Sequence, residues 1–333
     1  MTTPAFSSDD RLTELDPNFA TTRLLSKEPN LPVESDVKFE SILALPPNSE
    51  RIAVGGLRTK GYFKRSYIKD EISDRSLPLV TVVTIVFNGA EYLAATIESV
   101  ITQSYENVEF IVIDGGSNDG SPDLIRQYAD KIDYWVSEPD KGIADAMNKG
   151  IRLAAGKLIH HLHAGDLFES KTTIAEVVES YLENQWRWCY GNQKKINPAG
   201  EVTSYLYPAK FSRRILHLGN TIPHSTVFSD ISLLKEVGYF DPRFKCAMDY
   251  HLWLRYAEVA EPLKIEKILA RFLDGGVSAD EIFALKDEIR VRRDVLNQTP
   301  IQKAIDFCVV VLRYCKWKLK INTFARKAPK ENK

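Results

Sequence analysis

Apolar positions along this chain change their period at regular intervals, and those changes define its elements. Val80-Thr-Val-Val-Thr-Ile-Val-Phe is a near-continuous β-branched run, the pattern of a strand buried on both faces. Asn88-Gly-Ala-Glu then opens a helix with Leu93, Ile97, Val100 and Ile101 on one side. The strand signal returns over residues 108–113. After a Gly-rich loop, Ser121-Pro122-Asp123 marks a second helix start: Ser caps free amides, Pro fits the first helical position and Asp complements the dipole. A strand near 132–136, a helix across 143–153 and a strand across 157–162 continue the alternation. This predicts an α/β fold, a Rossmann-like and mostly parallel sheet flanked by helices. Further on, the pattern predicts a helix near 173–182, a strand-like stretch over 186–193 and a loop-rich run through Pro223-His224-Ser. An amphipathic helix then begins at Asp249, and helices follow over 282–296 and 301–325. No fixed-period repeat suggests a solenoid.

The flanks read differently. Residues 1–50 are rich in Ser, Thr, Asp and Pro with short apolar pieces such as Phe39-Glu-Ser-Ile-Leu-Ala-Leu, which predicts a poorly ordered arm with one docking segment. Residues 51–69 turn basic and aromatic, and either bind anionic phosphates or pack as a lead-in to the first strand. The expected division is an arm and lead-in over 1–77, an α/β domain over 78–280 and a helical basic extension over 281–333.

Composition adds a few constraints. With 333 residues, 44% of them apolar, the chain can bury a large core. A formal charge of −1 offers no global field to recruit nucleic acid, yet residues 301–333 carry nine Lys/Arg against Asp306 and Glu331, a local +7. Within them Phe307, Val310, Val311, Tyr314, Trp317 and Ile321 form an approximate helical stripe flanked by cations. That pattern suits an anionic membrane surface or a helix packed on the domain with a solvated basic face. Cys189, Cys246, Cys308 and Cys315 form no CxxC pair, which fits buried thiols in a reducing cytoplasm. No leader-like segment and no run of about 18 uncharged apolar residues is found, so the expectation is a cytoplasmic protein, free or peripheral on the inner face of the membrane.

The chemistry gathers at strand ends. Asp114 closes the second predicted strand ahead of Gly115 and Gly116, where a carboxylate can accept from a base or ribose and glycine lets a ligand approach the backbone. An Asx turn capping the next helix is the plainer use, and suits Asp119 better. Lys141 and Gly142 offer a cation and amides near a helix start. Asp145, Asn148 and Lys149 share one helix face, as ligand contacts or, for Asp145 and Lys149, as a surface ion pair. Asp249 sits at a helix start, where it either works as a base or caps. The first strand is followed by Phe87-Asn88-Gly-Ala-Glu and not by G-x-G-x-x-G, which argues against a dinucleotide-dependent oxidoreductase.

Phe87-Asn88-Gly89, Ile111-Val-Ile-Asp-Gly-Gly-Ser-Asn-Asp-Gly-Ser, Glu138-Pro-Asp-Lys-Gly-Ile-Ala-Asp-Ala-Met-Asn-Lys-Gly-Ile, Ala164-Gly-Asp, Pro223-His224-Ser and Met248-Asp-Tyr-His-Leu-Trp-Leu-Arg occur in that order. In this the chain resembles family 2 glycosyltransferases over about residues 78 to 278. The resemblance implies the GT-A fold and inverting transfer of a sugar from a nucleoside diphosphate, most often UDP. The acceptor it implies is a hydroxyl of a glycan or lipid-linked glycan in surface polysaccharide assembly. It carries nucleotide-sugar binding to Asn88, Asp114, Gly115, Lys141, Gly142, Asp145 and His224, catalysis to Asp249 and metal binding to Asp166, with Mn2+ or Mg2+ as the cofactor. The chain departs from the family at the metal motif: Ala164-Gly165-Asp166 has one acid where many relatives have two, which opens two further readings. His163 or His224 completes the metal's ligands, or the chain is a non-catalytic nucleotide-sugar scaffold. Trp253 either lines an acceptor pocket or belongs to the core.

Overall fold

The computed structural model describes residues 12–29, 40–275, 281–296, 298–308 and 311. In chain order the elements are β1 (Ala53–Gly55), β2 (Val80–Val86), α1 (Ala90–Ile101), β3 (Val108–Asp114), α2 (Ser121–Gln127), β4 (Tyr134–Ser137), α3 (Ile143–Leu153), β5 (Leu158–His161) and β6 (Leu167–Phe168). They continue with α4 (Thr173–Asn184), β7 (Trp188–Ile196), β8 (Val202–Leu206), α5 (Arg213–Leu216), β9 (Phe228–Asp230), α6 (Ile231–Val237), α7 (Met248–Val259), β10 (Leu263–Leu273) and α8 (Glu281–Val295).

One sheet runs β1-β4-β3-β2-β5-β9-β7-β10-β6, with β8 paired to β7. Its centre, β4-β3-β2-β5, is parallel, with Val80 opposite Val108 and Val86 opposite Asp114. β9 runs against both β5 and β7, so β7 again points the same way as β2. The carboxyl ends of β2, β3, β5 and β7 therefore share one side of the sheet. Every residue of β2 and β3 is buried, Glu109, Asp114 and the two threonines included, as in strands covered on both faces. Val83, Ile85, Ile111, Ile113, Trp188 and Tyr190 pack beneath α3, α6 and α7, while Val82, Phe110 and Val112 pack against α1 and α4.

The lead-in packs. β1 adds antiparallel to β4, Arg58 is buried against Glu109, and Arg51 meets Glu138 at 2.8 Å. Lys64 Nζ donates to the carbonyls of Ala20 and Arg23 at 3.2 and 2.8 Å, and burial pulls its pKa down to about 8. These cations are committed to the fold, which favours the packed reading of residues 51–69 over phosphate binding. The docking segment is also present: Ile42 N donates to Arg152 O at 2.9 Å, and Leu45, itself buried, donates its N–H to the Tyr134 hydroxyl at 3.2 Å. Residues 1–11, 30–39 and 312–333 lie outside the described residues, and with them most of the basic tail. Among the described residues, no helix is long and apolar enough to cross a membrane.

Candidate active site

Asp114 ends β3 completely buried. Its carboxylate accepts from Ser117 N at 3.1 Å, from the Ser117 hydroxyl, and from the Ser137 hydroxyl at 2.6 Å. Three donors leave about one of a carboxylate's four acceptor positions for a ligand. Asp114 thus holds the ends of β3 and β4 and the turn between Gly115 and Ser117 in one arrangement. Asn88, with φ at +51°, extends the stitching: its N–H donates to the Ser117 hydroxyl at 2.7 Å, and its Oδ1 accepts from Asn118 N at 3.0 Å. Gly115 lets the Asp140 carboxylate approach, since a β-carbon at this position would make that side chain shift. Asp119 accepts from Ala90 N at 2.9 Å and Ser121 N at 3.1 Å, so it ties the start of α1 to that of α2. This corrects the expected cap: Ser121 is already helical, Gly120 stands at the cap position, and the carboxylate two residues ahead takes the amide.

At the start of α3, Gly142 adopts φ of +108° and donates to Asp140 Oδ1 at 2.7 Å, while Lys141 N donates to Asp145 Oδ2 at 3.0 Å. Both Lys141 and Gly142 are exposed. Lys149 lies 3.9 Å from Asp145 but only 2.9 Å from Glu138. Burial pushes the Glu138 carboxyl up, but the Lys149 and Arg51 cations outweigh it and hold the group below the usual range. Asn148 is not available to a ligand, since its amide both donates to Phe240 O at 2.8 Å and accepts from Phe240 N at 2.9 Å.

Asp166 is buried beyond β5, and its Oδ1 accepts from Leu273 N at 3.1 Å. Burial pushes its pKa up to about 7. His163 and His224 face each other with Nε2 atoms 3.1 Å apart, and burial pulls His163 down to about 4 and His224 well below its ordinary value. Both rings are therefore neutral at pH 7. Among the described residues, one group of three metal-capable side chains converges elsewhere: Asp241, His251 and Asp294. Arg243 already spans its two carboxylates at 2.6 and 2.9 Å.

Asp249 stands in the first turn of α7, half-buried. It is not a cap: the cap position is Ala247, and the amides of Lys245, Cys246 and Ala247 all donate to Asp287 Oδ2 of α8, at 2.8, 2.9 and 3.1 Å. Asp249 Oδ2 accepts from Asn220 Nδ2 at 3.1 Å and Oδ1 from Tyr250 N at 2.6 Å. Burial outweighs these bonds and raises its pKa to about 6, the value of a carboxylate that is ionised at neutral pH yet basic enough to take a proton. Trp253, one turn on, is 3% exposed and stacks on Trp188 at 5.8 Å, a core position.

The sequence profile of "Glycosyl transferase family 2" matches residues 81–229, the stretch that builds the Asp114, α3 and Asp166 clusters. An uncharacterized glycosyltransferase of Mycobacterium tuberculosis (strain H37Rv) is 34% identical over 231 residues, covering 68% of this chain and 87% of that one. The chain is a family 2 glycosyltransferase. The UDP-Glc:alpha-D-GlcNAc-diphosphoundecaprenol beta-1,3-glucosyltransferase WfgD of Escherichia coli is 29% identical over 177 residues, 53% of this chain and 68% of that one. In fold, the glycosyltransferase is similar to Staphylococcus aureus TarS bound to UDP-GlcNAc, at TM-score 0.56 and 16% identity over 76% of this chain and 77% of that one. This is the GT-A fold, here with helices added at the C-terminal side.

Sequence reasoning assigned no role to four residues that hold these carboxylates and loops. Ser117 stands within the quoted motif, three residues from Asp114, whereas Ser137 reaches that carboxylate only through the pairing of β3 with β4. Asn220 and Asp287 lie 29 and 40 positions from the groups they hold, and no local pattern marks either.

Proposed function

We propose that this glycosyltransferase moves a sugar from a UDP-sugar, with inversion, onto a hydroxyl of a lipid-linked glycan in surface polysaccharide assembly, on the cytoplasmic face of a membrane. The observation that supports the reading is Asp249: a carboxylate in the first turn of α7, oriented by Asn220, with a pKa that burial raises to about 6. In the transfer, Asp249 takes the proton of the acceptor hydroxyl as that oxygen bonds to the anomeric carbon, and the bond from this carbon to the diphosphate breaks on the opposite side. The names of the relatives support the substrates, since WfgD acts on a UDP-sugar and a lipid diphosphate acceptor.

In this reading Asn88, Asp114 and Gly115 receive the nucleoside, Lys141, Gly142 and Asp145 approach the diphosphate, and His224 stands on the sugar side. Asp166 would hold a divalent cation, Mn2+ or Mg2+. The fit rests on its buried carboxyl: a pKa raised to about 7 marks a negative charge with no cation to offset it, which is what a bound divalent ion would supply. When bound, such an ion offsets charge on the leaving diphosphate. A membrane partner for the extension fits the helical residues 300–308. Asp306 turns inward to Arg292 at 3.0 Å, while Ile301, Ile305 and Phe307 stay exposed.

The test is UDP release across a panel of UDP-sugars with Mn2+, Mg2+ or chelator, in wild type, Asp166→Ala and Asp249→Asn. Metal-dependent release lost in both variants is the expected result. Release that survives Asp249→Asn would remove the base from the mechanism, and donor binding with no release under any condition would favour a scaffold.

A further inference from the structure

Residues 202–229 contain no Asp or Glu, although the chain has 45 acids in 333 residues, and they carry Lys210, Arg213 and Arg214. The same stretch holds Tyr205, Leu206, Tyr207, Ile215 and Leu218, all 39–61% exposed. Side chains alternate along β8, so Tyr205 stands on one face of the ribbon and Leu206 on the other, yet no residue of the strand is buried. Among the described residues β8 pairs with β7 and with no other strand. The rings of Tyr205 and Tyr207 lie parallel within 5°, with centroids 6.0 Å apart. Packing within the protein does not account for these side chains.

The pieces are held together. Ala209 O accepts from the Tyr190 hydroxyl at 2.9 Å, which ties the end of the ribbon to β7. The chain from Tyr207 to Arg213 spans at most about 20 Å, so α5 follows close on the tyrosine pair. Arg213 lies 3.6 Å from Glu258, whereas Lys210 and Arg214 are exposed and, among the described residues, in no ion pair. The Tyr250 hydroxyl donates to Leu216 O at 2.6 Å and is also bonded by Arg292, whose Nε donates to Asp306 at 3.0 Å. Those contacts join α5, with Ile215 and Leu218, to the helical residues 300–308, where Ile301, Ile305 and Phe307 are exposed.

We propose that this acid-free face docks on an anionic lipid bilayer, with the tyrosine pair, Ile215 and Leu218 at headgroup level and Lys210 and Arg214 against lipid phosphates. Apolar and amphipathic aromatic side chains interleaved with cations suit a bilayer interface, where rings settle among headgroups and cations meet anionic lipid. A soluble polyanion would call for the cations alone. Asn220 follows Leu218 by two residues and bonds Asp249, so docking brings the base to the membrane surface. The inference rests on the transfer reading above, whose acceptor is lipid-linked, and deepens it by naming the face that meets the lipid.

The test measures partition of the full chain onto vesicles of phosphatidylglycerol and phosphatidylcholine at low and high salt, with Tyr207→Trp as a reporter read against brominated phosphatidylcholine. The indole introduced at 207 is expected to be quenched on vesicles beyond the quenching of wild type. Lys210→Ala/Arg214→Ala is expected to weaken partition about thirtyfold at low salt and little at high salt. Ile215→Ser/Leu218→Ser is expected to weaken it about tenfold at both. Wild type that stays off the vesicles overturns the proposal. So does an unquenched indole on bound protein, which would assign binding to the basic tail. Partition unmoved by Ile215→Ser/Leu218→Ser also overturns it, and would leave the cations to a soluble polyanion. Vesicle binding needs neither donor nor turnover: wild type that docks but releases no UDP sinks the transfer reading alone, and an unquenched indole with UDP release sinks this one alone. Melting temperatures check the fold of each variant.

Discussion

Replacing Asn220 by alanine should shift the acid limb of the pH profile while leaving the rate at high pH in place. The Asn220 amide donates to Asp249 at 3.1 Å and favours the ionised carboxylate. A hydrogen bond to a charged group contributes roughly 1.5–3 kcal/mol, and at a half-buried position water replaces part of it, so the loss is about one pKa unit. The base then titrates near about 7 where wild type titrates at about 6. The sign follows from the base role: transfer needs the ionised form, so activity falls as pH drops through the pKa. Asn220→Ala is expected to be about eightfold slower than wild type at pH 5.5, about twofold slower at pH 7, and nearly equal at pH 8.5. The assay is initial-rate UDP release at constant ionic strength across that range, with donor and acceptor far below saturation. A constant ratio of rates at every pH would refute the reasoning, because it would mean that Asn220 does not act through the ionisation of Asp249.

Asp166→Asn is expected to lose activity and yet raise the melting temperature of the metal-free protein by several degrees at pH 8. A carboxyl whose folded pKa is raised from 3.8 to about 7 loses stability as pH climbs through that window, so the gain should vanish at pH 4; scanning calorimetry at both pH values checks it. Arg58→Ala strands Glu109 beside Thr81, and breaking such a buried pair costs about 3–5 kcal/mol, so urea denaturation should show a lower midpoint. The rate per folded molecule should hold, because this pair sits at the amino ends of β2 and β3, away from the site. Asp114→Ala leaves two serine hydroxyls and an amide without their acceptor, and should raise the donor KM more than it lowers kcat.

The centre of the fold was readable because its elements differ in period. β2 is an unbroken β-branched run, β3 is apolar but for Glu109 and the closing Asp114, and α3 spans the predicted residues 143–153. The fold hides signals where pairing partners supply what local pattern lacks. β10, eleven residues long, alternates apolar residues with charges that are met by other elements, such as Arg271 by Glu169 and Lys267 by Glu176, so it did not read as a buried strand. β8 has no buried face to generate a pattern at all. Asp249 and Asp166 are legible as motif residues, but Asn220, which bonds the first, comes from a loop and Leu273, which bonds the second, from the end of β10. Leu273 reaches Asp166 from 107 positions away.

Asp287 has a consequence for the order in which the molecule is completed. The stretch matched by the family profile ends at residue 229, yet β6 and β7 within it pair with β10 and the lead-in to α7 is held by α8, so the unit closes only once residues 263–287 have been made. The three amides that lead into α7 meet their acceptor, Asp287 Oδ2, across 40 residues or more of chain. A polypeptide halted anywhere between 250 and 286 carries Asp249 without the carboxylate that fixes the start of its helix.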